Sequence, residues 1–278
     1  MQQALLWMTG TICSFALMAI AGRELSGTIN TFQVLFVRSL LGLFVISLII
    51  LSLNKAQYFK TSQIKTHLLR NSFHFLGQYG WFVGLGLLPL SQVFAIEFTV
   101  PFWTAIIASV VLKDHLSASK MIAIVIAFAG VLFIVKPASD HFESATLIVL
   151  LAAFCYSCAH TGTKVLSKHN NTLTILFYMC LIQLPIGAVL MIPYWTVPSM
   201  VEWGWIFIVA ITALTAHFCM TKAMLTTTVT TVVTLDFMRL PLIALLGFAF
   251  YQEPFGAVSI LGTALIFVAM LINIKSSR

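Results

Sequence analysis

Apolar runs of about twenty residues follow one another along nearly the whole chain, separated by short polar turns. Ten runs can be counted, over residues 4–21, 31–53, 67–88, 91–112, 117–135, 145–163, 172–193, 203–223, 228–251 and 255–274. A hydrocarbon layer about 30 Å thick is crossed by about 20 residues of helix, so each run predicts a membrane-crossing helix. A β-barrel would instead show segments of about ten residues with alternating character. The turns after the third, fourth and ninth runs are very short, which makes the helices they join antiparallel neighbours. The fold class expected is all-α: a polytopic membrane protein of ten transmembrane helices, with no soluble domain or long linker.

Polar positions inside the runs form a second pattern, and it occurs twice. SQVFAIEFTVPFW carries Glu97 and Pro101, and TVVTLDFMRLPLI carries Asp236 and Pro241. An ionised carboxylate at the centre of a lipid-embedded helix costs about 2.5–3.5 kcal/mol or more, so two of them need a reason. Gln78 precedes Glu97 by 19 positions, and His217 precedes Asp236 by 19. Asp114 and Glu253 keep the same offset of 139, as do Lys136 and Lys275, while the prolines miss it by one. Two copies of one unit are expected, at residues 1–138 and 139–278, with five spans each. Five is odd, so the second copy enters from the opposite side. A pseudo-twofold axis in the membrane plane then relates the copies, the architecture in which secondary transporters bind their solute between the repeats.

Composition agrees. Hydrophobic residues make up 60% of the chain and charged residues 8%, against about 25% in soluble domains. Mean hydropathy is +1.02. The net charge of +7 does not point to nucleic acid, because the basic residues fall in the short loops. With a cytoplasmic N-terminus, Lys55, Lys60, Lys65, Lys113, Lys120, Lys164, Lys168, Lys222, Lys275 and Arg278 lie inside and only Arg23 and Lys136 outside. That bias predicts both termini in the cytoplasm, in a cell inner membrane. The first run has no A-x-A cleavage pattern and reads as a retained span. The five cysteines all lie in apolar runs; even the Cys155-x-x-Cys158 spacing reads as packing.

The sequence resembles the drug/metabolite transporter superfamily, in its EamA-type group of ten-span proteins. The likeness rests on FVRSLLG, HLLRNSFHFLGQYGWF and VFAIEFTVPFWTAIIASVVLKDHL in the first half, and on LTAHFCMTKAM and VVTLDFMRLPLIALLGFAFYQEP in the second. It implies a central cavity lined by spans one, three, four, six, eight and nine, and a single small organic solute as cargo. Asp114 departs from the family pattern, which more often has glutamate there, as at Glu253.

Four charges stand within the runs: Arg38, Glu97, Asp236 and Arg239. Asp236 and Arg239 are spaced i, i+3 and can pair on one helix face. Arg38 and Glu97 lie at similar depth, about 10 Å below the same ends of their spans, and pair if spans two and four are close. These charges either fix helix register as ion pairs or line the cavity for cargo. An ionised carboxylate is disfavoured in low dielectric, so Glu97 and Asp236 are also candidates for proton coupling. In span three, Arg70, His74 and Gln78 form a stripe that Trp81 and Phe82 continue, opposite a Gly80-x-x-x-Gly84 packing face. Arg70 is expected to snorkel to the membrane surface. His74, Gln78, His217, Tyr79, Trp103, and the pair Tyr156 and His160 are the remaining candidates for substrate contact. Paired charges beside aromatic rings suit an amphipathic solute with an amine, a carboxylate or a flat ring. Pro101 and Pro241 are candidate hinges, because each frees a backbone carbonyl four residues earlier.

No enzyme motif such as H-E-x-x-H or G-x-S-x-G occurs. No P-loop is present, so a gradient must drive transport. The function expected is secondary active transport of a small organic metabolite. An amino acid or derivative is favoured, with a larger cofactor-like solute such as S-adenosylmethionine or riboflavin as the alternative. No cofactor or metal is expected, and the protein acts as a monomer or homodimer.

Overall fold

The computed structural model describes residues 2–113, 117–135, 144–252 and 257–276. The described residues form helices and connecting turns, without strands. The first half holds α1 (Gln2–Leu25), α2 (Thr31–Ser52), α3 (Ile64–Leu87), α4 (Leu90–Glu97), α5 (Val100–Val111) and α6 (Ala118–Val135). The second holds α7 (Ser144–Leu166), α8 (Thr172–Met191), α9 (Met200–Thr226), α10 (Val229–Leu235), α11 (Arg239–Tyr251) and α12 (Ala257–Ser276). The fourth and ninth runs are broken, into α4 with α5 and α10 with α11. Among the described residues, seven stretches are long and apolar enough to cross a membrane, counting each broken run as one. Shorter apolar stretches occur in α6 and α12. The polar stripe keeps α3 out of that set although it has 24 residues.

Helix starts are encoded locally. The Asn30 side chain accepts from the Phe32 amide at 2.9 Å, and the Asn171 side chain accepts from the Leu173 amide at 2.9 Å, capping α2 and α8 alike. Ser199 and Glu202 form a reciprocal capping box at α9.

The packing obeys a twofold rule. In the first half α1 lies along α9, and in the second its counterpart α7 lies along α3. The pairs α2 with α8 and α6 with α12 exchange onto themselves. So do the broken runs: α5 meets α10 and α4 meets α11, which makes the two runs antiparallel. That is the geometry of two inverted repeats. Lipid tails are as apolar as leucine, so these contacts depend on close fit more than on apolar burial. Gly80 sits on a close-packed face, as its spacing with Gly84 predicts, and the neighbour there is α7: a Cβ would come within 3.0 Å of the Ile148 carbonyl oxygen.

The helix ends obey the same rule. Arg23, in the last turn of α1, donates to the carbonyls of Leu85 and Leu88 at the C-terminal end of α3. Lys164, in the last turn of α7, donates to those of Met224 and Thr227 at the C-terminal end of α9. A cation at a helix C-terminus is favoured by the carbonyl dipoles there. The 138/139 division between the repeats falls outside the described residues. So do Asp114, Glu253 and Lys136 and the side chain of Lys275.

Candidate functional site

The antiparallel broken runs cross at their breaks, and each break carries an acid. Glu97 is the last residue of α4, and Asp236 opens a short 3-10 turn over Asp236–Met238. Pro101 and Pro241 lack the amide that would continue the helical ladder, and the chain tightens just before them. The Thr99 amide bonds the Ile96 carbonyl at 3.0 Å, a three-residue step. The expected hinge positions therefore coincide with real interruptions next to both acids.

Arg239 joins the two breaks. One guanidinium nitrogen, Nη2, donates to Glu97 Oε1 at 2.9 Å and to Asp236 Oδ2 at 2.7 Å. The Asp236–Arg239 pair expected from i, i+3 spacing is present, and Glu97 has joined it across the seam. The guanidinium also stands 4.7 Å from the Phe15 ring centre and 4.9 Å from that of Phe94, within cation–π range. Glu97 Oε2 accepts from the Trp81 indole at 2.7 Å. Asp236 Oδ1 and Arg239 Nε are buried without a hydrogen-bond partner. A buried acceptor left unpaired costs about 1–3 kcal/mol or more, so Oδ1 is the open hydrogen-bonding position of this cluster.

The pairing predicted for Arg38 is corrected. Its Nη2 donates to Gln78 Oε1 at 2.9 Å and to Gln183 Oε1 at 2.6 Å, and Glu97 is held elsewhere. The reason is packing: α2 lies along α8, which turns Arg38 toward Gln183. A guanidinium only donates, so it fixes both glutamine oxygens toward itself. The Gln183 amide nitrogen then faces His74 Nδ1 at 2.7 Å. His74 Nδ1 must accept, its Nε2 carries the proton, and that proton points at His217 Nε2, 3.1 Å away. A relay of hydrogen bonds thus runs from Arg38 through Gln183 and His74 to His217.

A central cavity of about 20 Å³ lies among these groups. That is room for about one water and for no organic solute, so the cavity is contracted. Its walls come from α1, α3, α4, α7, α9 and the α10–α11 break, the six spans that the resemblance implies. Gln78, Glu97, Tyr156, His160, His217 and Asp236 all line it, with Arg239. His74 stands behind His217. Tyr156 stacks on His160 at 6.1 Å between ring centres. Arg38 is also absent from the lining, and so are Tyr79 and Trp103. Tyr79 stacks on Phe32 at 4.5 Å, and Trp103 packs its edge on Phe154 at 5.7 Å. A wider hollow of about 280 Å³, open to the surface near Gly22, Ser26 and Phe82, lies at the C-terminal end of α1.

Arg70 corrects a second expectation. It does not snorkel. It is 3% exposed and donates to Thr163 Oγ1 at 3.0 Å and Asn71 Oδ1 at 2.6 Å. Sequence reasoning also missed Gln183, a single amide in an apolar run, and Phe15, Met18 and Met220, whose apolar side chains give no signal separating a cavity wall from a lipid face.

The sequence pattern of the EamA-like transporter family matches residues 2–136 and again 143–275. Over 98% of its length the chain is 22% identical to a protein of Rickettsia prowazekii named an S-adenosylmethionine uptake transporter, 92% of which is covered. It is 27% identical to a riboflavin transporter of Vibrio cholerae, over 88% of this chain and 84% of that one. It is 24% identical to a pseudopaline exporter of Pseudomonas aeruginosa, over 93% and 91%. One solved crystal structure superposes with a TM-score of 0.81 over 100% of this chain and 98% of its own. At 15% identity that likeness speaks for the fold alone.

Proposed function

The chain belongs to the EamA-like transporter family, in the drug/metabolite transporter superfamily, and on that premise we propose that it carries an amino-acid-derived solute of the S-adenosylmethionine type. It is a multi-pass membrane transporter and not an enzyme; its partners are the bilayer and a small solute. The proposed cargo has a cationic centre and a flat ring. One observation carries the reading: in the wall of the central cavity, Asp236 Oδ1 is an acid oxygen with no donor. Around it stand Glu97 and the rings of Phe15, Trp81 and Tyr156. An ammonium or sulfonium satisfies such an oxygen, and ring faces attract the same cation. The flat rings suit a purine. The uptake transporter named for S-adenosylmethionine, similar over almost the whole chain, supports the same choice.

The mechanism follows from the contracted cavity. Cargo enters when the two repeats rock about their crossing, and it leaves when they rock the other way. Pro101 and Pro241 mark where the broken runs bend. The cationic centre competes with Arg239 for the two carboxylates. A carboxylate released from Arg239 in a low-dielectric site needs a cationic cargo or a proton in its place, which makes Glu97 and Asp236 the groups that couple transport to a proton gradient. The ten apolar runs would make ten crossings, and the loop charges would put both termini in the cytoplasm, in a cell inner membrane.

Counterflow in proteoliposomes tests the cargo. Vesicles loaded with S-adenosylmethionine are expected to accumulate the labelled compound from outside. Exchange of riboflavin without exchange of S-adenosylmethionine would overturn the assignment.

A further inference from the structure

The interior charge balance departs from what four intramembrane charges suggest. Arg38, Arg70 and Arg239 are each 2–3% exposed. Both ion pairs among the described residues belong to Arg239. Arg70 is bonded to a hydroxyl and an amide. Arg38 is bonded to two amide oxygens, and its Nε is buried without a partner. Three guanidiniums therefore face two carboxylates. A buried charge without a counter-charge is costly, and among the described residues one anion is missing from the interior.

We propose that Arg38 is the receptor for the carboxylate of the cargo, which takes the places held by Gln78 and Gln183. This rests on the amino-acid-type cargo proposed above. Arg38 is separated from the cavity by a single amide, because its ligand Gln78 lines the wall. Its other ligand leads through His74 to His217, which lines the wall again. The partners of Arg70, Thr163 and Asn71, are absent from that lining. A planar guanidinium binds a carboxylate through two parallel charge-assisted bonds, about twice as strong as bonds to neutral amides. The two glutamines are weaker, neutral ligands that an incoming carboxylate displaces.

The spacing of the two poles fits one small solute. Gln78 serves Arg38 and Trp81 serves Glu97. They are three residues apart on α3, so they share a face with about 5 Å of rise between them. A cargo bound this way lays its carboxylate toward Arg38 and its cationic centre toward Glu97 and Asp236.

Binding of S-adenosylmethionine and of its decarboxylated analogue to the purified full chain tests this. The wild type is expected to bind the carboxylate-bearing form on the order of 30-fold more tightly. In Arg38→Gln that preference should fall to about one, with the decarboxylated analogue bound as before, which also reports that the variant is folded. Arg38→Lys should keep part of the preference, and Arg70→Gln all of it. Equal binding of the two ligands by the wild type overturns the inference even if Arg38→Gln fails to fold. So does a preference that survives in Arg38→Gln. A wild type that binds neither ligand overturns the cargo assignment, and this inference with it.

Discussion

The two broken runs place their acids at matching positions but hold them differently. Glu97 has a neighbour on each oxygen: Arg239 on one and the Trp81 indole on the other. Asp236 has Arg239 on one oxygen and no partner on the other. The repeat explains why. At the offset of 139 the counterpart of Trp81 is Met220, which has no N–H to give. The counterpart of Arg239 is Val100, so the first half supplies no base of its own at this place. One arginine serves two acids, and the second acid is left with an open coordination position. The bundle is symmetric in its packing and asymmetric at its centre.

The largest effect comes from removing the shared base. Arg239→Gln leaves two carboxylates close together in a buried site, and a fall of about 3–5 kcal/mol is expected, read as a lower melting temperature in detergent. A further Glu97→Gln change should recover part of that loss, since it removes one of the stranded charges. Neutralising the acids in turn comes next. Glu97→Gln and Asp236→Asn should each remove the dependence of uptake on an imposed pH gradient. Gradient dependence unchanged in both variants would end the proton role. Trp81→Phe should cost about 1 kcal/mol by taking the indole donor from Glu97. The converse change, Met220→Gln, offers a donor near Asp236; it should raise the melting temperature and, on the proposed function, slow counterflow, because it would occupy the oxygen proposed for cargo. A separate contrast lies at the helix seams, away from the central site. Gly80→Ala meets the rigid Ile148 carbonyl and should cost about 1–3 kcal/mol. Gly10→Ala meets only the Cys219 sulfur, a side chain that rotates aside, and should cost less.

Much of this was legible in the sequence because it is periodic. Apolar runs of membrane length, two proline-flanked acids and a constant offset are local patterns, and they translate directly into helices, breaks and inversion. Pairing is not local. Arg38 was matched to Glu97 by depth, yet depth does not say which face of a helix meets which neighbour. The seating of α2 on α8 decides that, and it gives Arg38 to Gln183. Arg70 was placed at the membrane surface from its position near the start of a run. The helix begins earlier, at Ile64, and α7 covers the side chain. Gln183 carries no periodic signal, and only its contacts reveal that it links Arg38 to His74.

Arg23 and Lys164 grip equivalent helix ends, but the repeats run in opposite senses, so the two grips lie at opposite ends of the bundle. Inversion of the repeat has thus supplied, without any extra part, one clasp for each end of the bundle, each closed within its own half of the chain.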